Sequence, residues 1–290
     1  MIIGDETAGM WRRYSRPTWE AYADKHNYRI VALTEPVRPE LVSEAKPVHW
    51  QKCFLLQHPE LAGYDYVVWI DADVMINHHR APCIVGQTRT DKIGAVDLTD
   101  RHPTRRDFEN CVARYLPLKG YVTSHKRAIE GAAPFPTAEI TGMFRAEAAK
   151  GAAGYAAQPP TVNTGVMVLQ PRRHAEFLAE VFFKYRDIAD SDDHEQTPLS
   201  DEMVAHDLLE PLDVGFNNVF YIDMAERYPF LHSVPLMRTE GGLVLARLCV
   251  TTSFLNSYFL HFVGGERDYM QLVATDATDV FDLIETLRAE

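Results

Sequence analysis

Tyr66-Val67-Val68-Trp69-Ile70 is an unbroken run of aromatic and β-branched residues that stops at Asp71-Ala72-Asp73. Such a run without polar alternation predicts a strand buried on both faces. A strand of that kind needs covering layers, which points to an α/β arrangement of sheet and helices. The two carboxylates just beyond its end lie where ligands of open α/β sheets collect, at the carboxyl edge.

The neighbouring segments extend this pattern. Met1 to Gly4 is a short apolar start, expected to end a first strand. Pro17 opens a helical pattern with Trp19, Tyr22, Ala23 and His26 on one face, and Arg29 to Leu33 reads as a strand. His49 to Gln57 reads as helical and Gly94 to Leu98 as another strand. The alternation predicts a mostly parallel central sheet, Rossmann-like, with helices on its faces. Residues 100–160 lack a clean apolar period and read as an insertion, with a helix over Phe108 to Leu116. Thr164 to Leu169 restores a strand. His174, Phe177, Leu178, Val181, Phe182, Tyr185 and Ile188 then form a stripe at helical spacing, read as core packing. Asp187, Asp190, Asp192, Asp193 and Glu195 read as a solvated acidic loop without a site. Tyr258 to Phe262 is a late strand, and Val280, Phe281, Ile284 and Leu287 mark a C-terminal amphipathic helix. A single domain over 1–290 is expected: a nucleotide-binding half over 1–100, the insertion over 100–160, and a sugar and acceptor half over 161–290.

Composition narrows the partners. The 290 residues hold 29 Lys plus Arg against 41 Asp plus Glu, a formal charge of -12, which disfavours a phosphate-backbone footprint and hence nucleic acid. An anionic substrate would need a local cation. The four cysteines, Cys53, Cys83, Cys111 and Cys249, have neither zinc-site spacing nor disulfide density. No apolar run approaches the roughly 20 residues that span a bilayer, and no signal-peptide plan opens the chain. A cytoplasmic protein is expected, with peripheral membrane contact left open.

Asp71 and Asp73, one residue apart at a strand end, can turn into one crevice and offer hard oxygen ligands to Mn²⁺ or Mg²⁺. The ordinary reading of such a triplet is a turn or a helix cap. Its place after a buried strand favours the metal.

His49-Trp50-Gln51-Lys52, followed by the strand Tyr64 to Ile70 and Asp71-Ala72-Asp73, resembles the galactosyl- and mannosyltransferases of the GMA12/MNN10 type. It is also similar to the glycogenin-like galactosyltransferases. Asn163-Thr164-Gly165, within Asn163 to Pro171, resembles the strand lining their sugar pocket, with Thr164 in place of the more usual Ser. His261-Phe262-Val263-Gly264 resembles their late His-Phe-x-Gly motif. The resemblance implies a GT-A fold, a metal held by Asp71, Asp73 and His261, and donor contacts from Lys52, Ala72, Asn163, Thr164, Gly165, Asn217 and Gly264. Leu199 to Met203 falls where these enzymes carry an Asp-Gln pair near the reacting sugar carbon, which implies catalytic roles for Asp201 and Glu202. Without the resemblance, Ser200 reads as a helix cap with acids in the first turn.

The expectation is therefore a retaining hexosyltransferase using a UDP- or GDP-linked sugar, Mn²⁺ or Mg²⁺, and a glycan or other hydroxyl acceptor. A nucleotidyltransferase of related fold would ordinarily show a Gly-rich basic phosphate loop, and Gly4-Asp5-Glu6-Thr7-Ala8-Gly9 is acidic. A catalytically silent sugar-binding module is the third reading.

Overall fold

The computed structural model describes residues 1–98, 160–190 and 194–289. The expected insertion over 100–160 lies outside them apart from Pro160, as do the helix at Phe108 to Leu116 and the acids Asp192 and Asp193. The chain divides into two compact units. One comprises Met1–Leu98, Pro159–Asn218 and Ser257–His261; the other comprises Thr99–Gln158, Val219–Asn256 and Phe262–Glu290.

The first unit carries the run that opened the sequence reading. Val67–Ile70 forms β1, which lies at the sheet edge and is half-buried except for Trp69 rather than buried on both faces as expected, and the turn Asp71-Ala72-Asp73 leads into β2 (Val74–Ile76). β3 is Ile93–Asp97, β4 Val162–Leu169 and β5 Leu209–Pro211. Their order is β1-β4-β3-β5, and β4 is buried along its whole length, including the polar Asn163 and Thr164 that precede its apolar run Val166 to Leu169. The mostly parallel sheet expected is in fact mixed among the described residues. β4 runs antiparallel to β1 and to β3, and only β3 and β5 pair in parallel. Alternating strands and helices suggested regular crossovers, but β4 is reached only after residues 98–161 and enters against both neighbours. The α/β class itself stands.

A second, three-stranded sheet has the order β2-β7-β6, with β6 at Asn218–Val219 and β7 at Phe259–His261. The turn at Asp71 to Asp73 thus carries the chain from one sheet to the other. In β2, Val74 lies opposite His261.

The helices follow their sequence signals unevenly. α1 spans Asp5–Met10, a π-helical turn Trp11–Ser15, and α2 Arg16–His26, with Pro17 inside its first turn and Asn27 ending it in the left-handed region. His49 to Gln57 is a 3₁₀ helix, Val48–Gln57, with Trp50 and Phe54 fully buried. α3 (Pro171–Tyr185) packs on it, and the Phe54 and Phe182 rings meet edge-on at 4.8 Å. Burying each such ring contributes about 1.5–3 kcal/mol. The expected stripe holds except at Ile188, which lies past the helix end and is exposed.

Two expected strands are absent. Met1 to Gly4 and Arg29 to Leu33 are irregular, joined by one backbone bond from Ile2 N to Leu33 O at 2.7 Å. One bond makes no ladder. Ile30 to Leu33 and β1 instead line a mainly apolar cavity of about 210 Å³.

α4 (Gln196–Ala205) packs against β4. Ser200 is not its cap: it lies inside the helix, accepting from Val162 N and donating to Pro160 O.

The second unit is helical among its described residues: α5 (Phe220–Glu226), α6 (Val234–Met237), α7 (Glu240–Asn256), a 3₁₀ helix Gly264–Leu272 and α8 (Val280–Ala289). The C-terminal helix forms as expected, but its inward residue is Leu283, while Val280 and Phe281 are exposed. At helical spacing Leu283 shares a face with Ile284 and Leu287, which are half-buried.

Candidate metal and donor site

The site assembles at the β1–β2 turn. Asp71 N donates to Gly165 O at 2.8 Å, prolonging the β1–β4 pairing one residue beyond β1, and Val74 N closes the turn onto Asp71 O at 3.1 Å. Ser15, buried in the π-helical turn, donates its hydroxyl to Ala72 O at 2.6 Å, and Trp19 Nε1 donates to Val74 O at 2.8 Å. Backbone and side-chain bonds therefore pin the turn from both sides, and Ala72 serves as an anchor.

Asp71, Asp73 and His261 each offer an atom lying within 4.8 Å of the other two. His261 Nε2 is 3.3 Å from Asp73 Oδ1, and both side chains are almost wholly buried. Trp69 Nε1 donates to Asp71 Oδ1 at 2.7 Å.

The imidazole is oriented by a relay. Asn217 Nδ2 donates to Asn163 O and Oδ1 at 3.2 and 2.8 Å, which directs its own Oδ1 to His261 Nδ1 at 2.9 Å. An amide oxygen can only accept, so Nδ1 carries a proton and Nε2 is the ring nitrogen that faces Asp73. A metal-binding histidine is normally held in this way. Two carboxylates and a pre-oriented imidazole suit Mn²⁺, and also Mg²⁺ through the carboxylates. The donor set fits a divalent cation.

β4 supplies the floor. Its pairing with β3 slips between Ala95 and Val96, from Ala95 opposite Met167 to Val96 opposite Asn163. The slip leaves Thr164, Gly165 and Val166 without partners in β3, while Asn163 stays paired with Val96. Asn163 Oδ1 also accepts from Gly165 N at 2.9 Å. A Cβ on Gly165 would stand 2.3 Å from His261 Cε1, so only glycine leaves room for the ring.

Lys52 is buried beneath the turn. Its ammonium lies 2.6 Å from Glu195 Oε1, 3.4 Å from Asp71 Oδ1, and 3.2 Å from both the carbonyl and the hydroxyl of Thr164. Burial opposes its charge, but Asp71 and then Glu195 more than offset this and hold its pKa above the ordinary lysine range.

Glu195 is the residue that the sequence reading missed. The acidic stretch is not a free loop at its described positions. Trp50 Nε1 donates to Asp190 Oδ1 at 2.8 Å, and His194 Nδ1 lies 2.6 Å from Asp190 Oδ2. The His194 ring stacks on His49 at 4.1 Å. Burial would raise the Asp190 pKa, but the bonds from Trp50 and His194 bring it below the usual value. One signal was present: Gln196-Thr197-Pro198 opens a helix directly after Glu195, which fixes that acid at a helix start.

Asp201 and Glu202 are not brought to this cluster. Asp201 is exposed, while Glu202 Oε1 accepts from Lys184 Nζ at 2.7 Å and Tyr185 OH at 2.8 Å, with His206 Nε2 3.5 Å from Oε2. Glu202 ties α4 to α3. Burial raises its pKa, yet the bonds from Lys184 and Tyr185 leave it below the ordinary value. Gly264 belongs to the second unit, with a φ of 64° in the region that glycine favours.

No family model matches the sequence, and no curated protein matches it. Among solved structures, the chain is similar to a glycosyltransferase involved in the glycosylation of the major capsid of PBCV-1, with a TM-score of 0.50 and 14% identity over 93% of this chain and 95% of that one. The likeness is one of fold, and the α/β architecture is consistent with the GT-A type.

Proposed function

We propose that this protein is a metal-dependent glycosyltransferase that moves a hexose from a nucleoside diphosphate sugar to a hydroxyl acceptor. The observation that carries the reading is the convergence of Asp71, Asp73 and the Asn217-oriented His261 at the end of β1. The fold shared with a glycosyltransferase supports it. Asp71, Asp73 and His261 would hold Mn²⁺ or Mg²⁺. When bound, the ion supplies Lewis-acid stabilisation of charge on the leaving diphosphate.

The protein's own contributions follow from the geometry. Asn217 and Asn163 hold the His261 ring with Nε2 toward Asp73, the nitrogen that would meet a metal. Lys52 adds a fixed positive charge beside Asp71. The break in the β3–β4 pairing at Thr164 to Val166 places polar backbone and the Thr164 hydroxyl near the metal ligands, a suitable floor for a sugar. In this reading the acceptor proton passes to the leaving diphosphate oxygen on the same face, giving retention of configuration without a dedicated base. The engagement of Glu202 with Lys184 and Tyr185 favours that route over a nucleophilic role for it.

The test is turnover with Mn²⁺ across UDP- and GDP-linked hexoses, read as donor hydrolysis or transfer. Cleavage of one donor class that stops on chelation is expected. Absence of turnover with every donor, despite Mn²⁺-dependent nucleotide binding, would overturn the enzymic reading in favour of a silent sugar-binding module.

A further inference from the structure

The buried ammonium of Lys52 has three N–H donors, and Glu195, Asp71 and the Thr164 oxygens engage all of them. The shortest contact, 2.6 Å, is to Glu195, whose own side chain is almost wholly buried. Asp71 is thus contacted by a fixed cation at 3.4 Å while also belonging to the group that could hold a metal. A divalent ion joining Asp71, Asp73 and His261 must share Asp71 with that ammonium. Like charges a few ångströms apart in a buried site repel strongly.

We propose that Lys52, positioned by Glu195, is a built-in competitor for the cation site, so that the ion binds well only together with a nucleoside diphosphate. This inference rests on the metal-site reading above. The diphosphate provides anionic oxygens for the ion and a new partner for the ammonium, which relieves the repulsion. Binding of ion and diphosphate is therefore coupled, and the coupling factor is the same whichever binds first. Glu195 acts through Lys52: without the carboxylate, the ammonium turns more fully onto Asp71 and excludes the ion further.

The experiment is Mn²⁺ titration followed by the EPR signal of free Mn²⁺, with and without UDP or GDP. Wild-type protein is expected to bind Mn²⁺ weakly alone and roughly ten-fold or more tightly with the nucleotide. Lys52→Met tightens binding of Mn²⁺ alone by roughly ten-fold and shrinks the coupling. Glu195→Gln weakens binding of Mn²⁺ alone, and this effect largely disappears in the Lys52→Met background, as a positioning role through Lys52 requires. Lys52→Met/Glu195→Gln removes both buried charges without leaving an orphan carboxylate, and it too binds Mn²⁺ alone more tightly than wild type. That double variant keeps the test decisive if a single variant fails to fold.

Weaker Mn²⁺ binding by the double variant, or unchanged coupling, overturns the competitor role while leaving the metal site intact. Mn²⁺ binding that is absent in wild type with either nucleotide, or indifferent to Asp73→Asn, overturns the metal-site reading and this inference with it.

Discussion

Gly165→Ala tests the architecture at its tightest point. The added methyl would sit 2.3 Å from His261 Cε1, 2.7 Å from Nδ1 and 2.9 Å from Asn163 Oδ1, where carbon contacts normally settle at about 3.5–4.0 Å. The closest contact is therefore more than about 1 Å too short, and the ring is buried with its Nδ1 committed to Asn217. Either β4 shifts or the imidazole leaves. Overpacking of this kind costs about 1–3 kcal/mol. A ring that leaves also orphans the buried Asn217 oxygen, for about a further 1–3 kcal/mol. The two together come to about 2–6 kcal/mol, so the melting temperature should fall by roughly 3–10 °C. Displacement of the imidazole should weaken Mn²⁺ binding by roughly 10- to 100-fold. Calorimetry and Mn²⁺ titration read the two effects. In a His261→Ala background the ring is gone, so Gly165→Ala should cost much less, a non-additivity that a general strand defect would not produce. Wild-type stability and Mn²⁺ affinity in Gly165→Ala, or equal losses in both backgrounds, would refute the reasoning.

Three further perturbations address separate parts of the site. Asn217→Leu removes the acceptor that holds the His261 ring, and Mn²⁺ affinity should drop roughly 10- to 100-fold while the secondary structure persists by circular dichroism. Asp73→Asn should abolish Mn²⁺-dependent nucleotide binding and donor cleavage, with the protein still folded; turnover persisting in chelator would remove Asp73 from the metal site. Glu202→Gln should leave donor cleavage within a few-fold of wild type, because the carboxylate meets Lys184 and Tyr185 rather than the cluster. Its folded-state pKa lies below the ordinary 4.5, so the stability it contributes is complete above that value and is lost as pH falls through the lower one. Unfolding in denaturant between pH 6 and pH 3, wild type against Glu202→Gln, checks this: the stability gap should narrow at the acid end.

The position of β1 and of the two carboxylates at its end was legible because an apolar run and the residues that stop it are local signals, although only Trp69 of that strand is buried. Tyr66 to Ile70 and Asp71 to Asp73 sit where the apolar run placed them, and Thr164 to Leu169 and Tyr258 to Phe262 likewise read as strands. What failed depended on partners distant in sequence. Arg29 to Leu33 has strand character but gains no ladder, since pairing is a property of two segments. The direction of β4 cannot be read from its own residues. Glu195 was hidden in an acidic stretch whose ordinary fate is solvation, and only the fold brings Lys52 to it across 143 positions of sequence. Conversely, Asp201 and Glu202 look like a catalytic pair in one dimension, yet helical geometry turns Glu202 toward α3. Asn217 and Asn163 were expected at the donor, and the structure shows their amides orienting His261 and the strand.

The most direct test of the account is a crystal structure of the protein soaked with Mn²⁺ and a nucleoside diphosphate, with data collected at a wavelength where manganese scatters anomalously. The account predicts one strong anomalous peak coordinated by Asp71, Asp73, His261 Nε2 and diphosphate oxygens, with His261 Nδ1 still bonded to Asn217. A manganese peak elsewhere, with those three side chains keeping their mutual contacts and the nucleotide bound apart from them, would contradict it.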